Sequence, residues 1–253
     1  GEPVLAARRF ARFELQALAG KSRRSTAWRV RGVRGAQGTR ECFLVLPRQQ
    51  PADADASARW TQAVRRGSRL EHPALAPVLE IGVWQGWPYV LYEATGLQTL
   101  AERLKDQALT AAQAAAVLVG ALQGLAFAHE GGVAHRDLQP YMLLLGEHDT
   151  ASLMGLEAGA PTPATTSTGL APVAPVHTSI DALELIQQRA AAADDLLCAG
   201  LLLHRLLAGR PALDEPDLAE AAARLPPDGR ELVRLPWNTP LPVPEALRAM
   251  ANR

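Results

Sequence analysis

Residues 133–145 read VAHRDLQPYMLLL, and this stretch decides how the rest of the chain is interpreted. It contains three ionisable side chains in a row, His135, Arg136 and Asp137, an arrangement typical of a loop that performs chemistry. Tyr141 and Met142 follow shortly after, and then three leucines. Those later side chains are typical of a packed interior. The stretch is therefore either a chemical site or the preserved framework of one.

Long helices are predicted on both sides of this stretch. The segment LTAAQAAAVLVGALQGLAFAHEGG (109–132) has Thr110 at a favourable N-cap position and ends at the Gly131-Gly132 pair, which is typical of a helix C-terminus. Downstream, residues 158–175 are rich in Pro, Thr, Ala and Gly, which predicts a long mobile loop. Residues 192–209 are apolar on nearly every face, which predicts a helix buried in the middle of a lobe.

Towards the N-terminus the sequence favours strands. The segments RFELQALAG, STAWRVRGV and ECFLVLP are short, β-rich and separated by turns, which predicts three antiparallel strands. Residues 53–70 suit a helix with Asp55 or Ser57 as its cap. The segments APVLEIGVW and WPYVLYEA predict two further strands joined by a tight turn at Gln85-Gly86.

These two patterns predict one α+β domain with two lobes. We expect a small antiparallel β lobe over residues 1–94 and a larger, mainly helical lobe over residues 95–253. A chain of 253 residues with 48% hydrophobic content is long enough to bury a core in each lobe.

Composition limits the classes of partner. The chain has 26 Lys and Arg against 26 Asp and Glu, so we expect no nucleic acid partner. Cys42 and Cys198 lie in apolar runs, which predicts buried thiols and a cytoplasmic location. Neither an uninterrupted apolar run of about 18 residues nor a charged-then-apolar leader pattern occurs, so we expect no direct membrane insertion in this segment.

The order of these features resembles the protein kinase family, in particular bacterial Ser/Thr kinases. The segments AHEGGVAHRDLQP and DDLLCAGLLLHRLLAGRPAL carry the resemblance, because several residues match at fixed spacing in each and both occur in the family order. The resemblance covers roughly residues 10–250 and implies the two-lobed kinase fold. The family continues with further helices beyond a segment like VPEALRAMANR, so we expect a large lobe that is truncated near Arg253.

The family cradles phosphate groups in a glycine-rich turn between its first two strands, where backbone N–H groups approach the ligand closely. The resemblance places Gly20 at the first glycine, but Ser22 and Ser25 at the other two. This turn therefore departs from a phosphate cradle. It also carries three cations that could attract an anion or simply be solvated, namely Lys21, Arg23 and Arg24.

Family members also bind phosphate with a lysine on the third strand, which a glutamate on the next helix holds in place. The resemblance places Leu44 at the lysine position and Cys42 at a position that lines the nucleotide pocket. Ala63 stands at the glutamate position, and residues 56–70 contain no Asp or Glu. A fold tolerates the joint loss of such a pair because neither charge is left buried and unpaired.

Asp137 stands at the family's catalytic base, but the groups that should surround it have changed. The resemblance places Gln139 at a phosphate-contacting lysine, Met142 at a metal-binding asparagine and Gly155 at a metal-binding aspartate. Mg²⁺ requires oxygen ligands, and Glu157, the nearest carboxylate, would need an unusual loop path to replace them. We therefore expect no metal site and interpret Asp137 as a vestigial base.

The remaining matches are architectural. Asp195 resembles a buried carboxylate that accepts backbone hydrogen bonds from the His-Arg-Asp loop, and Glu184 resembles the end of the Ala-Pro-Glu motif. Glu93 and Ala94 stand where hinge residues offer backbone hydrogen bonds to adenine. The resemblance gives a structural role to four residues: His135, Arg136, Glu184 and Asp195.

These substitutions predict a catalytically inactive kinase-like domain, a pseudokinase, that acts through unidentified protein partners in bacterial signalling. We expect no cofactor and weak or absent ATP binding. The alternatives are a nucleotide-binding sensor, an atypical Ser/Thr kinase with residual phosphotransfer, or a structural spacer. The loop at 158–175 is either a remnant of an activation loop or a target for a separate kinase, with candidate acceptors Thr162, Thr165, Thr166, Ser167 and Thr168.

Overall fold

The computed structural model describes residues 8–32, 40–160, 180–225 and 244–251. The described residues before 95 include six strands: β1 (Arg9–Phe10), β2 (Phe13–Lys21), β3 (Ser25–Gly32), β4 (Glu41–Pro47), β5 (Val78–Trp84) and β6 (Trp87–Glu93). They form one sheet in the order β1-β2-β3-β4-β6-β5, and every pair is antiparallel. The predicted strands are thus confirmed, with the short strand β1 in addition.

The hairpin between β5 and β6 turns at Gln85 and Gly86, as predicted. Their φ angles are +48° and +77°, so both central residues lie in the left-handed region that a two-residue hairpin turn of this twist requires. A glycine serves this position because it has no Cβ to strain.

One helix, α1 (Ala54–Ser68), crosses the sheet region between β4 and β5. Its cap is Asp53, whose side chain accepts a hydrogen bond from the Ala56 N–H at 2.7 Å, rather than the predicted Asp55 or Ser57. Trp60 and Val64 face inward and are buried.

The rest of the described chain is mainly helical. Its helices are α2 (Leu100–Asp106), α3 (Ala111–Glu130), α4 (Ile180–Ala208), α5 (Leu218–Ala223) and α6 (Glu245–Ala251). Three short strands, β7 (Gln98–Thr99), β8 (Leu143–Leu145) and β9 (Ala151–Leu153), form a second sheet in that order.

Helix α3 begins at the predicted cap, where Thr110 and Gln113 form a reciprocal capping box, and it ends before Gly131. Its length and composition would suffice to cross a membrane, but the helix packs against α4 and β9 instead. The face that contains Val117, Ala121 and Leu125 is completely buried. Helix α3 therefore contributes one buried face to the core of the helical lobe.

Helix α4 is longer and less enclosed than the sequence predicted. It begins at Ile180, not near residue 192, and forms one continuous element to Ala208. Leu202 is completely buried, whereas Leu196 and Leu197 are about half exposed. The prediction that this helix is buried all round is wrong, because one of its faces lies at the surface of the described structure.

Candidate functional site

The His-Arg-Asp loop follows α3, and Asp195 of α4 holds it in place through hydrogen bonds. The two carboxylate oxygens of Asp195 accept hydrogen bonds from the backbone N–H groups of His135, at 2.7 Å, and Arg136, at 2.9 Å. The His129 ring lies 2.9 Å from the same carboxylate. Arg136 has a φ of +70°, so these bonds stabilise a backbone conformation that is strained for a residue with a Cβ.

His135 is completely buried and links the loop to the segment after β9. Its Nε2 lies 2.9 Å from the Met154 carbonyl, and its Nδ1 lies 3.3 Å from the Asp137 N–H. A carbonyl can only accept and an N–H can only donate, so the ring proton is assigned to Nε2. The histidine therefore positions the loop.

Arg136 is held by an ion pair with Glu157. Its Nε lies 2.7 Å from Glu157 Oε2, and its Nη2 donates to Gln188 Oε1 at 2.7 Å. The other oxygen of Glu157 accepts a hydrogen bond from the Ala134 N–H at 3.2 Å. Glu157, the carboxylate that could have replaced a metal ligand, is thus already occupied by the arginine.

Asp137 is completely buried, and both of its carboxylate oxygens have hydrogen-bond donors. Ser22 Oγ donates to Oδ2 at 2.7 Å and Ser25 Oγ donates to the same oxygen at 2.5 Å. Gln139 Nε2 donates to Oδ1 at 3.0 Å. A carboxylate that is completely buried and already accepts three hydrogen bonds is not accessible to a substrate hydroxyl in this conformation.

Through these hydrogen bonds, Ser22 and Ser25 hold the turn between β2 and β3 against Asp137. Ser22 Oγ also accepts hydrogen bonds from the N–H groups of Arg24 and Ser25, each at 2.9 Å, which closes the turn. The Arg24 guanidinium donates to the Arg136 carbonyl at 2.9 Å, and the Arg23 N–H donates to Asp217 at 2.9 Å. We call residues 22–25 with these contacts the serine latch, because they join the two lobes across the cleft.

Gly20 lies close to Tyr141 of the helical lobe. Its Cα packs against the Tyr141 ring, and a Cβ at Gly20 would overlap that ring. The Tyr141 hydroxyl lies 3.0 Å from Ser25 Oγ, and because the Ser25 proton is in the hydrogen bond to Asp137, the tyrosine donates to the serine oxygen. Burial, together with the nearby charge of Asp137, raises the pKa of Tyr141, so this hydroxyl keeps its proton at neutral pH.

Behind the latch, the interior of the cleft is filled by side chains from both lobes. One continuous cluster joins buried residues of β3, β4, β6 and α1 to Tyr141 and Met142 of the lower lobe. The Tyr92 hydroxyl accepts a hydrogen bond from the Gly155 N–H at 2.9 Å. A Cβ at Gly155, whose φ is +84°, would lie 2.6 Å from the Met142 sulfur. The two positions expected to have lost metal ligands therefore contact each other directly.

The register of β4 corrects the assignment of the lysine position. Leu44 packs with Phe13 on the outer face of the sheet, and Cys42 belongs to that same cluster. Phe43 and Val45 face the cleft instead. Alternate residues of a strand point to opposite faces, so an alignment error of one residue exchanges the faces. The cleft-facing positions remain apolar after this correction.

Ala63 lies buried on α1, the helix from which an acidic partner was expected to be missing. Helix α1 is linked to the lower lobe by Trp60, whose indole N–H donates to the Ala158 carbonyl at 2.9 Å. A neutral hydrogen bond therefore connects this helix to the segment that follows β9.

The backbone groups of Ala94, at the expected hinge, form hydrogen bonds within the protein. The Ala94 N–H donates to the Glu41 carbonyl at 3.2 Å, and the Ala94 carbonyl accepts from the Leu97 N–H at 3.0 Å. The Glu93 carboxylate pairs with Arg40. Although burial acts to raise it, hydrogen bonds from Thr95 and Arg40 hold the pKa of Glu93 below its ordinary value. The Ala94 backbone groups expected to face an adenine ring thus have partners already.

The remaining predicted residues have varied outcomes. Glu184 is exposed on α4 and has no ion pair with a described residue, so the structural role implied for it stays a prediction. Residues 158–160, placed at the start of a mobile loop, are instead hydrogen-bonded, with the Ala158 N–H donating to the Gly155 carbonyl at 2.9 Å. The five candidate phosphorylation sites lie outside the described residues.

Within the described ranges, no group of three or more His, Cys, Asp or Glu side chains could hold a metal ion.

Comparison with solved structures identifies the architecture. Two crystal structures of the Mycobacterium tuberculosis PknI kinase domain superpose with TM-scores of 0.57 and 0.54, at 19% and 21% identity. The first match covers 83% of this chain and 78% of that domain, and the second covers 88% and 87%. The chain has the protein kinase fold. The expected two-lobed fold is therefore confirmed.

Sequence comparison agrees with the kinase fold, although no protein family model matches. Serine/threonine-protein kinase PkaA of Streptomyces coelicolor is 28% identical over 215 residues, which are 79% of this chain and 39% of PkaA. Serine/threonine-protein kinase PknL of Mycobacterium tuberculosis is 27% identical over 231 residues, 90% of this chain and 57% of PknL. The chain thus spans only part of the length of these relatives.

Sequence reasoning missed the serine latch. It treated Ser22 and Ser25 as losses from a phosphate cradle, whereas the structure uses both as donors to Asp137, 115 and 112 residues away along the chain. The available signal was that two hydroxyl residues stood in a turn that, in the kinase fold, lies opposite the His-Arg-Asp loop. Gln139 was likewise considered only as a lost lysine.

Proposed function

We propose that this kinase-fold domain is a pseudokinase, catalytically inactive, that acts as a regulatory or scaffolding protein-interaction module in bacterial signalling. The observation that carries the proposal is the state of Asp137, which is completely buried with donors on both oxygens. A catalytic base must reach the proton of its substrate within hydrogen-bond distance. Asp137 already accepts three hydrogen bonds from the protein and has no exposed surface.

The proposal includes weak or absent ATP binding and no cofactor. It is supported by the apolar cluster that joins the lobes, because a nucleotide would have to displace Tyr92 and Met142 from the interior. It is also supported by the chemistry around Met142 and Gly155, neither of which offers the side-chain oxygen that Mg²⁺ prefers. Phosphoryl transfer depends on positioned metal and phosphate, so a lone carboxylate supplies one of several necessary parts.

A thermal-shift titration with ATP, with and without Mg²⁺ or Mn²⁺, tests the proposal. A ligand at 100 times its dissociation constant would stabilise the folded state by about 2.7 kcal/mol, which is readily measured. We expect no shift at millimolar ATP under any of these conditions. A metal-dependent shift would contradict the proposal.

The second candidate is an atypical Ser/Thr kinase or nucleotide sensor. It is favoured by two observations: Asp137 is retained, and the similar proteins are named as Ser/Thr kinases. In this case the serine latch would open and exchange its bonds to Asp137 for bonds to a substrate. Incubation with γ-labelled ATP and a general protein substrate separates the two candidates, with Asp137→Asn as the control. Label transfer that is lost in Asp137→Asn would establish the kinase.

A further inference from the structure

A groove lined by many cationic side chains runs past the serine latch. On one side of the serine latch, between β2, α2 and α5, lies a cavity of about 730 Å³. Its cationic wall residues are Lys21, Arg23, Arg48, Lys105 and Arg205. On the other side of the latch lies a cavity of about 590 Å³. Its cationic wall residues are Arg23, Arg24, Arg48 and Arg136.

The two cavities adjoin one another. Arg23, Arg48 and Gln49 line both of them, so the cavities form one continuous depression that passes the tip of the latch. We call this depression the front groove. Each cavity alone has the volume of a small-molecule site, and the two together are larger than most such ligands require.

Seven cationic side chains line the front groove against four carboxylates, and two of the seven are paired from outside it, Arg23 with Glu220 at 3.3 Å and Arg136 with Glu157 at 2.7 Å. Glu215 forms an ion pair with Arg224 at 2.9 Å. Asp217 accepts backbone hydrogen bonds from the latch and from the first turn of α5, and Asp195 holds the His-Arg-Asp loop. The fourth carboxylate, Asp194, is exposed. The whole chain has no net charge, so the excess of cations is a local feature.

Several of the cations have no carboxylate partner within the described ranges: Lys21, Arg48, Lys105 and Arg205. Arg205 is the most informative of them because it is half-buried on α4. Burial without a nearby carboxylate lowers the pKa of Arg205. A guanidinium that is partly withdrawn from water gains stability from an anion placed against it, and its planar fork suits a carboxylate.

We propose that the front groove binds an acidic peptide segment of a partner protein. The groove is elongated and its cations are distributed along both halves, which fits an extended chain carrying several carboxylates better than a compact ligand. The proposal rests on the proposed function, because it specifies the partner class of a protein-interaction module. The interior position expected for adenine, beside Ala94, plays no part in it, since buried side chains fill that region.

Fluorescence anisotropy with a short fluorescein-labelled Glu-rich peptide tests the inference. The Lys105→Gln/Arg205→Gln double variant should bind the peptide about tenfold more weakly than the original domain. The matched control is Arg66→Gln/Arg69→Gln, which removes the same charge from the exposed end of α1 and should weaken binding less than about twofold. Far-UV circular dichroism and melting curves establish that both variants are folded.

Three results would overturn the inference: no binding of the Glu-rich peptide at low salt, equal losses in the two double variants, or equally tight binding of a single-stranded RNA of the same charge. The first indicates that the groove has no peptide affinity, the second that only net charge matters, and the third that the groove accepts any polyanion.

The failure of this inference is distinguishable from the failure of the proposed function. A Ser-containing form of the peptide incubated with labelled ATP and Mg²⁺ should remain unlabelled. Transfer of label that is lost in Asp137→Asn would overturn the proposed function, whatever the affinity of the peptide. Absence of both binding and transfer would overturn only the assignment of the groove.

Discussion

The two buried aspartates of this domain, Asp137 and Asp195, have opposite relations to the chain around them. Both are almost completely inaccessible to solvent. Asp195 is bound by two backbone N–H groups and a histidine ring, all from the same lobe. Asp137 is bound by side chains, and two of its three donors are hydroxyls from the opposite lobe.

The contacts of Asp195 belong to the framework of one lobe, whereas the hydroxyl contacts of Asp137 close the cleft between the two lobes. Backbone donors are present whatever residue occupies the position, so the bonds to Asp195 depend on the path of the chain. Hydroxyl donors depend on two particular residues, Ser22 and Ser25, and they disappear when those residues are replaced. We therefore expect the surroundings of Asp195 to govern the stability of the lobe and those of Asp137 to govern whether the cleft stays shut.

Replacement of Asp195 should have the largest effect. Asp195→Ala removes the acceptor from two buried backbone N–H groups, which should cost about 3 kcal/mol or more in the free energy of unfolding. Urea denaturation measures the loss. Asp194→Ala, at the exposed neighbouring position, should stay within about 0.5 kcal/mol of the original domain. Equal effects of the two substitutions would show that Asp195 has no framework role.

Gly20→Ala tests the packing beneath the serine latch. The new Cβ would overlap the Tyr141 ring, so the ring or the strand must move, at a cost of about 1–3 kcal/mol. The matched control is Gly200→Ala on α4, where a Cβ meets nothing within 4 Å and should be neutral or stabilising. The cost of Gly20→Ala should shrink in a Tyr141→Ala background. An undiminished cost there would assign the effect to the backbone instead.

Removal of the latch hydroxyls should have a smaller effect on stability and a clear effect on opening. Ser22→Ala and Ser25→Ala should each lower the free energy of unfolding by about 1–2 kcal/mol, because Asp137 loses a buried donor. Amide hydrogen exchange should become faster around residues 22–25 and stay unchanged in the loop held by Asp195. Faster exchange at both places would contradict the separation of framework from closure.

A weaker, pH-dependent link joins the lobes at another point, where Arg29 of β3 pairs with Glu102 of α2 at 3.1 Å. Burial acts to raise the pKa of Glu102, but the Thr99 N–H and Arg29 lower it below its ordinary value of 4.5. The stabilisation is therefore present above about pH 4.5 and is lost as the pH falls through the lowered pKa.

Melting temperatures measured from neutral to acid pH test this link. Glu102→Gln should flatten the acid-side fall in the melting temperature. The control is Glu71→Gln, which removes an exposed carboxylate. A slope that does not change in Glu102→Gln would show that the ion pair contributes nothing to the contact between the lobes.

The elements that sequence predicted well depend on local rules. The β5–β6 turn is predicted by a residue that tolerates positive φ, and the start of α3 by a hydroxyl at its N-cap. The position of Leu44 was wrong because an apolar run buried on both faces gives no alternation from which to read the register. The exposed face of α4 was missed because apolar composition does not reveal which neighbours cover a helix.

By itself, the sequence determined the order of the lobes, the absence of oxygen ligands at Met142 and Gly155, and the retention of Asp137. These properties belong to single residues or to short segments. The tertiary structure alone decided that Ser22 and Ser25 bind Asp137, and that cations from β2, α2 and α4 line one groove. Such contacts join residues far apart in the chain, and their partners are chosen by the packing of the two lobes and not by local pattern.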